Sequence, residues 1–154
     1  MMMHLCCDVL KLLEGKTLVT AESCTGGGIG AALTTVPGSS QVYKGGIISY
    51  TNAVKTKQLG VDSELLDRVG AVSAPVAEAM ALGARNALEA DVAVSVTGLA
   101  GPDGDNFGNP VGTVYIGYAD ANIALAREYH FSGDREAVRN QAIESALHLI
   151  VELN

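Results

Sequence analysis

The sequence predicts an α/β protein: a single-domain, three-layer α/β/α fold with a mixed central sheet. Three observations predict it. Helix-period and strand-period segments alternate along the chain. Residues 91–97 (Asp-Val-Ala-Val-Ser-Val-Thr) are small or apolar on both faces, which suits a strand covered on both sides. The last two strand-like runs, 111–118 and 123–131, are separated by a short turn at Asp120-Ala121-Asn122, as in a hairpin.

The elements follow in order. Apolar residues at 5, 6, 9, 10, 12 and 13 fit one helical face, closed by Gly15. Residues 17–20 (Thr-Leu-Val-Thr) form a short β-rich run. The stretch 21–28 (Ala-Glu-Ser-Cys-Thr-Gly-Gly-Gly) then leads into a small-residue helix to about Thr35, and 37–40 is a Pro-Gly turn. Residues 42–50 read as a strand in which Gly45-Gly46 marks a bulge, bend or close backbone approach. Short helices are expected over 52–59 and from the cap Asp62 to Arg68. Ser73, as a plausible N-cap, and Pro75 open the most periodic helix, which runs to Leu88. The loop 98–110 is long for a connector and rich in Gly, Pro and Asp, so it is expected to carry function. Asp134 caps a last helix running to about Leu153.

Composition bounds the function. The chain has 154 residues, read as one domain over 1–154, long enough to bury a core without staples. Ten basic against seventeen acidic residues give a net charge of −7. That argues against a general nucleic-acid or anionic-membrane binder. A hydrophobic content of 48% with 18% charged residues excludes disorder and predicts apolar surface buried in a homodimer or higher homo-oligomer. Cys6, Cys7 and Cys24 fit neither a disulfide framework nor a zinc template, which suggests reduced thiols in the cytoplasm. No apolar run is long enough to span a membrane. The start of the chain, with Asp8 inside its apolar stretch, reads as a helix rather than a signal peptide.

Three places could carry chemistry. At 21–28 a nucleophile follows a strand and precedes glycines and a helix. The glycines let a carbonyl approach the main chain, and N–H groups at the helix start can hold an oxyanion. Ser23, Cys24 and Thr25 are the candidate nucleophiles; the plainer reading is that Ser23 or Thr25 caps the helix. His4, His130 and His148 look structural; Lys55, which in a partly dry site could lose its proton near neutral pH, is a candidate base, with Lys57 on another face of the same helix. The plainer reading of Lys55 is a solvated helix residue. The loop 98–110 leaves the carboxyl end of a central strand, where α/β sheets place ligands. Its Asp103 and Asp105 lack the remaining ligands of a calcium loop, so no metal is expected. Third, Arg135 and Arg139 lie four apart at the start of the last helix and could hold a phosphate; an ordinary charge pattern with Glu136 is the plainer reading. Gly15-Lys16-Thr17 lacks the first glycine of a Walker A loop; Gly26–Ala31 lacks the acid that a dinucleotide fold needs, which leaves dinucleotide binding as a secondary alternative.

Six blocks together resemble one family: 21–27 (Ala-Glu-Ser-Cys-Thr-Gly-Gly), 50–55 (Tyr-Thr-Asn-Ala-Val-Lys), 70–73 (Gly-Ala-Val-Ser), 97–104 (Thr-Gly-Leu-Ala-Gly-Pro-Asp-Gly), 110–114 (Pro-Val-Gly-Thr-Val) and 131–139 (Phe-Ser-Gly-Asp-Arg-Glu-Ala-Val-Arg). In this order they are similar to the C-terminal domain of the competence/damage-inducible protein CinA, also found as a stand-alone nicotinamide-nucleotide amidase. The resemblance implies deamidation of nicotinamide mononucleotide to nicotinic acid mononucleotide and ammonia by a Ser–Lys amidase without a cofactor. It implies Ser23 as nucleophile and Lys55 as base. Thr25, Gly26 and Gly27 would lie beside the attacked carbonyl, Tyr50, Asn52, Thr97 and Gly98 around the pocket, and Arg139 at the nucleotide phosphate. Asn109 stands where a Lys is common, and Thr51 where Ser is frequent. The rival function is a non-catalytic module, related to competence or DNA damage, that binds a nucleotide or a partner without turnover.

Overall fold

The computed structural model describes residues 2–154. Five strands, β1 (Leu18–Glu22), β2 (Tyr43–Ile48), β3 (Val92–Gly98), β4 (Thr113–Ala119) and β5 (Ala124–His130), form one sheet in the order β2-β1-β3-β4-β5. β1 runs parallel to β2 and β3, while β3, β4 and β5 are antiparallel neighbours. The sheet is therefore mixed, and its hairpin is tied by Asp120, whose carboxylate accepts from the N–H groups of Asn122 and Ile123.

Six helices cover the two faces: α1 (Met2–Leu12), α2 (Gly28–Leu33), α3 (Asn52–Leu59), α4 (Ser63–Val69), α5 (Ala74–Ala87) and α6 (Arg135–Leu153). One core gathers Leu5 and Val9 of α1, Ile29 of α2 and Leu147 of α6 against Val94, Val96 and Ile116 of the sheet. The other places Leu59, Leu66 and the small-residue face of α5 against Val19, Ala21 and Ala93. Alternation along the strands sorts the side chains: 19, 21 and 93 face α5, and their even-numbered neighbours on β3 face α6. β3 is buried along its length up to Thr97, as its two apolar faces require.

Several expectations shift. β1 runs to Glu22, two residues past its β-rich run, because pairing with both neighbours extends the ladder beyond what local propensity marks. α2 ends at Leu33 rather than Thr35. β2 is bulged: Leu18 pairs with Tyr43 and Val19 with Gly45, so Lys44 is skipped. Ser73 occupies the N-cap of α5 but does not cap it; its hydroxyl donates to the Gly70 carbonyl at 2.9 Å. Asp62 and Asp134 do cap α4 and α6 through the N–H groups of Glu64 and Ala137.

Candidate functional site

The carboxyl ends of β1, β2 and β3 lie side by side, because these three strands are parallel. A cleft of about 450 Å³ opens there, bordered by Ser23, Lys55, Thr97, Tyr50, Phe107 and Arg135. Cys24, Asn52 and Gly98 also border it. This is the position at which open α/β sheets leave a crevice for ligands.

Ser23 follows β1 directly. Its N–H donates to the Val96 carbonyl at 3.0 Å, which prolongs the pairing with β3 and fixes where its side chain emerges. The odd-numbered phase of Val19 and Ala21 carries Ser23 to the face on which α3 and α5 pack. Lys55 comes from α3 and is 1% exposed. Its Nζ sits 3.0 Å from Ser23 Oγ and donates to the Ser49 carbonyl at 2.8 Å. Lys57, two residues on, points to solvent, so the helix phase selects Lys55.

Among the described residues no carboxylate pairs with the buried Lys55 amine. Desolvation pulls its pKa down to about 8, against a small opposing effect of the Cys24 thiol. About a tenth of such an amine is neutral at pH 7, against a few parts in ten thousand for a free lysine. A neutral amine in contact with a serine hydroxyl is a base–nucleophile pair. Cys24 is the opposite case. It is buried, and desolvation pushes its thiol up to about 11, so it holds almost no thiolate at neutral pH.

The turn after Ser23 is held from two sides. Glu22, 2% exposed, turns its carboxylate to the other face of the sheet. It accepts from Thr25 Oγ1 at 2.8 Å and from the N–H groups of Ile29 and Gly30 at 2.8 and 3.1 Å. Three donors, two of them at a helix N-terminus, compensate the burial of this charge. From α6, Arg139 donates to the carbonyls of Cys24 and Thr25 at 3.0 and 3.2 Å. Gly26 and Gly27 take φ of 59° and 101°, which lets the chain reverse into α2.

Four of the expected site residues do not border the cleft. Arg139 does not border the cleft; it is occupied by the turn. Arg135, one helical turn earlier, borders the cleft and donates to Tyr50 Oη and the Gly101 carbonyl. Thr25 is fully buried and bound to Glu22, away from the cleft. The Gly26 N–H donates to the Ser23 carbonyl at 3.0 Å; in α2 the Gly28 N–H donates to the Thr25 carbonyl and those of Ile29 and Gly30 to Glu22, so none of these four offers itself to an oxyanion. Gly27 packs beneath Ile48 rather than at the cleft. The role of Glu22 is not among the expectations from the sequence; its signal there is an acid immediately before the candidate nucleophile, at the phase opposite to it.

Thr97 is buried and donates to the Ala71 carbonyl at 2.9 Å, tying β3 to the segment before α5. The 98–110 loop is closed by Asp105, which accepts from the N–H groups of Phe107 and Asn109 and from Asn109 Nδ2. Asn109 Nδ2 also donates to the Val72 carbonyl at 3.1 Å. Desolvation raises the Asp105 pKa, but these hydrogen bonds together outweigh it and hold the carboxyl below its ordinary value. Asp105 is thus a fastener of the cleft wall. Among the described residues no group of three metal-ligating side chains converges, and no helix is long and apolar enough to cross a membrane.

Comparison with known proteins agrees with this architecture. A nicotinamide-nucleotide amidohydrolase, PncC, of Pseudomonas putida is 50% identical over 136 residues, covering 88% of this chain and 85% of that protein. A CinA-like protein of Thermosynechococcus vestitus is 50% identical over 147 residues, covering 92% of this chain; the chain spans only 35% of that relative's length. The crystal structure of a competence-damaged protein (CinA) superfamily protein from Escherichia coli superposes with a TM-score of 0.97 at 35% identity, over 100% of this chain and 91% of that one. A competence/damage-inducible protein from Agrobacterium tumefaciens gives 0.95 at 38% identity, over 99% and 95%. The sequence signature described as the CinA C-terminal domain matches residues 4–153, and the chain belongs to that family.

Proposed function

We propose that this chain is an amidohydrolase that converts nicotinamide mononucleotide to nicotinic acid mononucleotide and ammonia through an acyl-enzyme on Ser23. The observation that carries the reading is the 3.0 Å approach of a buried, unpaired lysine amine to a serine hydroxyl at the edge of an open cleft. The half-identical amidohydrolase supports the substrate class.

In this mechanism neutral Lys55 takes the Ser23 proton as Oγ bonds to the amide carbon, and the carbonyl electron pair moves to oxygen. Cys24 borders the cleft beside Ser23, and its N–H is the donor assigned to that oxyanion. Collapse of the intermediate breaks the C–N bond, and the Lys55 ammonium gives its proton to the departing ammonia. Lys55, neutral again, then takes a proton from water as the water attacks the acyl carbon, and returns a proton to Ser23 Oγ. Arg135 is the cleft cation and meets the phosphate, held in place by Tyr50 and the Gly101 carbonyl. Glu22 and Arg139 position the turn from outside the cleft.

The test is ammonia release from nicotinamide mononucleotide, with nicotinamide and the riboside alongside. Turnover of the mononucleotide well above both controls is expected. Saturable binding of the mononucleotide without ammonia release would instead make the protein a binding module.

A further inference from the structure

Ser49 is fully buried, and its hydroxyl has no hydrogen-bond partner. A buried polar group without a partner is uncommon and calls for a physical reason. Here it sits on the same residue whose carbonyl accepts from Lys55 Nζ.

The strand register explains the placement. The Ser49 N–H donates to the Glu22 carbonyl at 2.8 Å, so the β1–β2 ladder continues one residue past β2. Ile47 is partly buried against the cluster that holds Val19 and Ala21, and a residue two further along an extended strand shares its face. Ser23 continues the corresponding phase of β1 after Val19 and Ala21. Two serines thus end neighbouring parallel strands on one face, and the buried amine of Lys55 reaches both residues.

An ammonium has three N–H donors. Ser23 Oγ and the Ser49 carbonyl receive two of them, and Lys55 makes no third hydrogen bond. The geometry points to Ser49 as a positioning residue for Lys55: when the amine is protonated, the Ser49 hydroxyl rotates to accept its third N–H. The inference rests on the Ser–Lys reading above. The other charged or titratable groups around the amine are committed elsewhere or lie in the open cleft. Glu22 is bound to Thr25 and α2, the Cys24 thiol is buried on the turn, and Lys57 is in solvent. Asp103, Asp105 and Arg135 border the cleft, and none bonds to Lys55. Ser49 favours the charged form only, so it would hold the proton on Lys55 between its removal from Ser23 and its delivery to ammonia.

The experiment compares Ser49→Ala and Ser49→Thr with the wild type by two readouts. One is the pH profile of kcat/KM for amide hydrolysis; the other is an NMR titration of the Lys55 side-chain carbon next to Nζ, which needs no activity. In Ser49→Ala the acid limb and the NMR midpoint should both move to lower pH by about half a unit or more, a roughly threefold loss of proton affinity. Ser49→Thr, which keeps a hydroxyl, should titrate like the wild type. An unmoved NMR midpoint in folded Ser49→Ala overturns the proposal, all the more if thermal stability rises as it would on deleting a merely orphaned hydroxyl. A wild type that releases no ammonia overturns the amidase reading instead, while the NMR midpoint still decides the role of Ser49.

Discussion

Lys55 Nζ and Ser23 Oγ meet at 3.0 Å although the residues lie 32 apart in sequence. The contact is a consequence of sheet order. β1 and β2 are parallel neighbours, so the residue after one strand lies beside the start of the helix that follows the other. Four residues into α3, on its buried face, a lysine side chain has the length to cross that gap and nothing but a hydroxyl and a carbonyl to meet.

Ser23→Ala removes the atom that would be acylated. Ammonia release from nicotinamide mononucleotide should fall by at least about a hundredfold, with the fold unchanged by circular dichroism. Wild-type rates in this variant would end the nucleophile assignment. Lys55→Arg keeps the charge but cannot give it up near neutral pH, so it should be as inactive as Ser23→Ala.

The pH dependence has a definite sign. The base must be neutral, so kcat/KM should rise with pH and level off above about 8, where burial has brought the Lys55 pKa. The same shift bears on stability. Folded Lys55 loses its proton near 8, whereas the unfolded chain keeps it to about 10.5. Between these values the unfolded state binds more protons, so this group's contribution to stability rises with pH across that window and is constant below it. The penalty at neutral pH is on the order of 3 kcal/mol. Lys55→Met should therefore be the more stable protein at pH 7, and the advantage should shrink between pH 8 and 10.5 in paired denaturant melts.

The sheet and its helical layers are legible in the sequence because they follow from short-range periodicity, whereas the pairing of Ser23 with Lys55 is expected only from motifs that resemble a family. What lay beyond reach depended on which side of an element faces what. Arg135 and Arg139 share a face at i,i+4 spacing, and that spacing cannot say that the first meets the cleft and the second the 23–27 turn. Glu22 reads as loop because the β-rich run stops at Thr20, yet pairing on both sides carries the strand to it. Its carboxylate then takes the N–H groups at the start of α2, which spacing alone assigned to an oxyanion.

Cys24 stands next to the proposed nucleophile and should be dispensable. Burial raises its thiol pKa to about 11, and it lies at the turn rather than in contact with Lys55 Nζ. Cys24→Ala should keep the amidase rate within about one order of magnitude, losing on the order of 1 kcal/mol of stability from the small cavity. Iodoacetamide at neutral pH should label Cys7, which is partly exposed, well before Cys24. Prompt loss of activity in step with labelling at Cys24 would contradict its passive role.

Helix α5 lies close on the sheet because Gly117 of β4 carries no side chain. A Cβ there would collide with the Ala77 carbonyl of α5 and with Ser95 Oγ, which donates to that carbonyl. Neither obstacle is a flexible chain end, so the helix must lift. Gly117→Ala should cost about 3 kcal/mol in chemical denaturation, at the upper end for overpacked cores. A cost below about 1 kcal/mol would mean that α5 moves freely over the sheet.

The two arginines of α6 separate binding from positioning. Arg135 borders the cleft, so Arg135→Ala should raise KM for the phosphorylated substrate by about ten- to a hundredfold, the value of a lost charge-assisted hydrogen bond. It should also erase most of the preference over the riboside, because the riboside never used that contact. Arg139 hydrogen-bonds to the Cys24 and Thr25 carbonyls. Its loss frees the turn that presents Ser23, so Arg139→Ala should lower kcat and leave the ratio between phosphorylated and unphosphorylated substrates unchanged. Arg139→Lys can serve one carbonyl but not both with the same fork, and should recover part of kcat. If instead Arg139→Ala abolished the phosphate preference and Arg135→Ala did not, the phosphate would bind on the turn side of α6, and the cleft would have to open toward Arg139 to receive it.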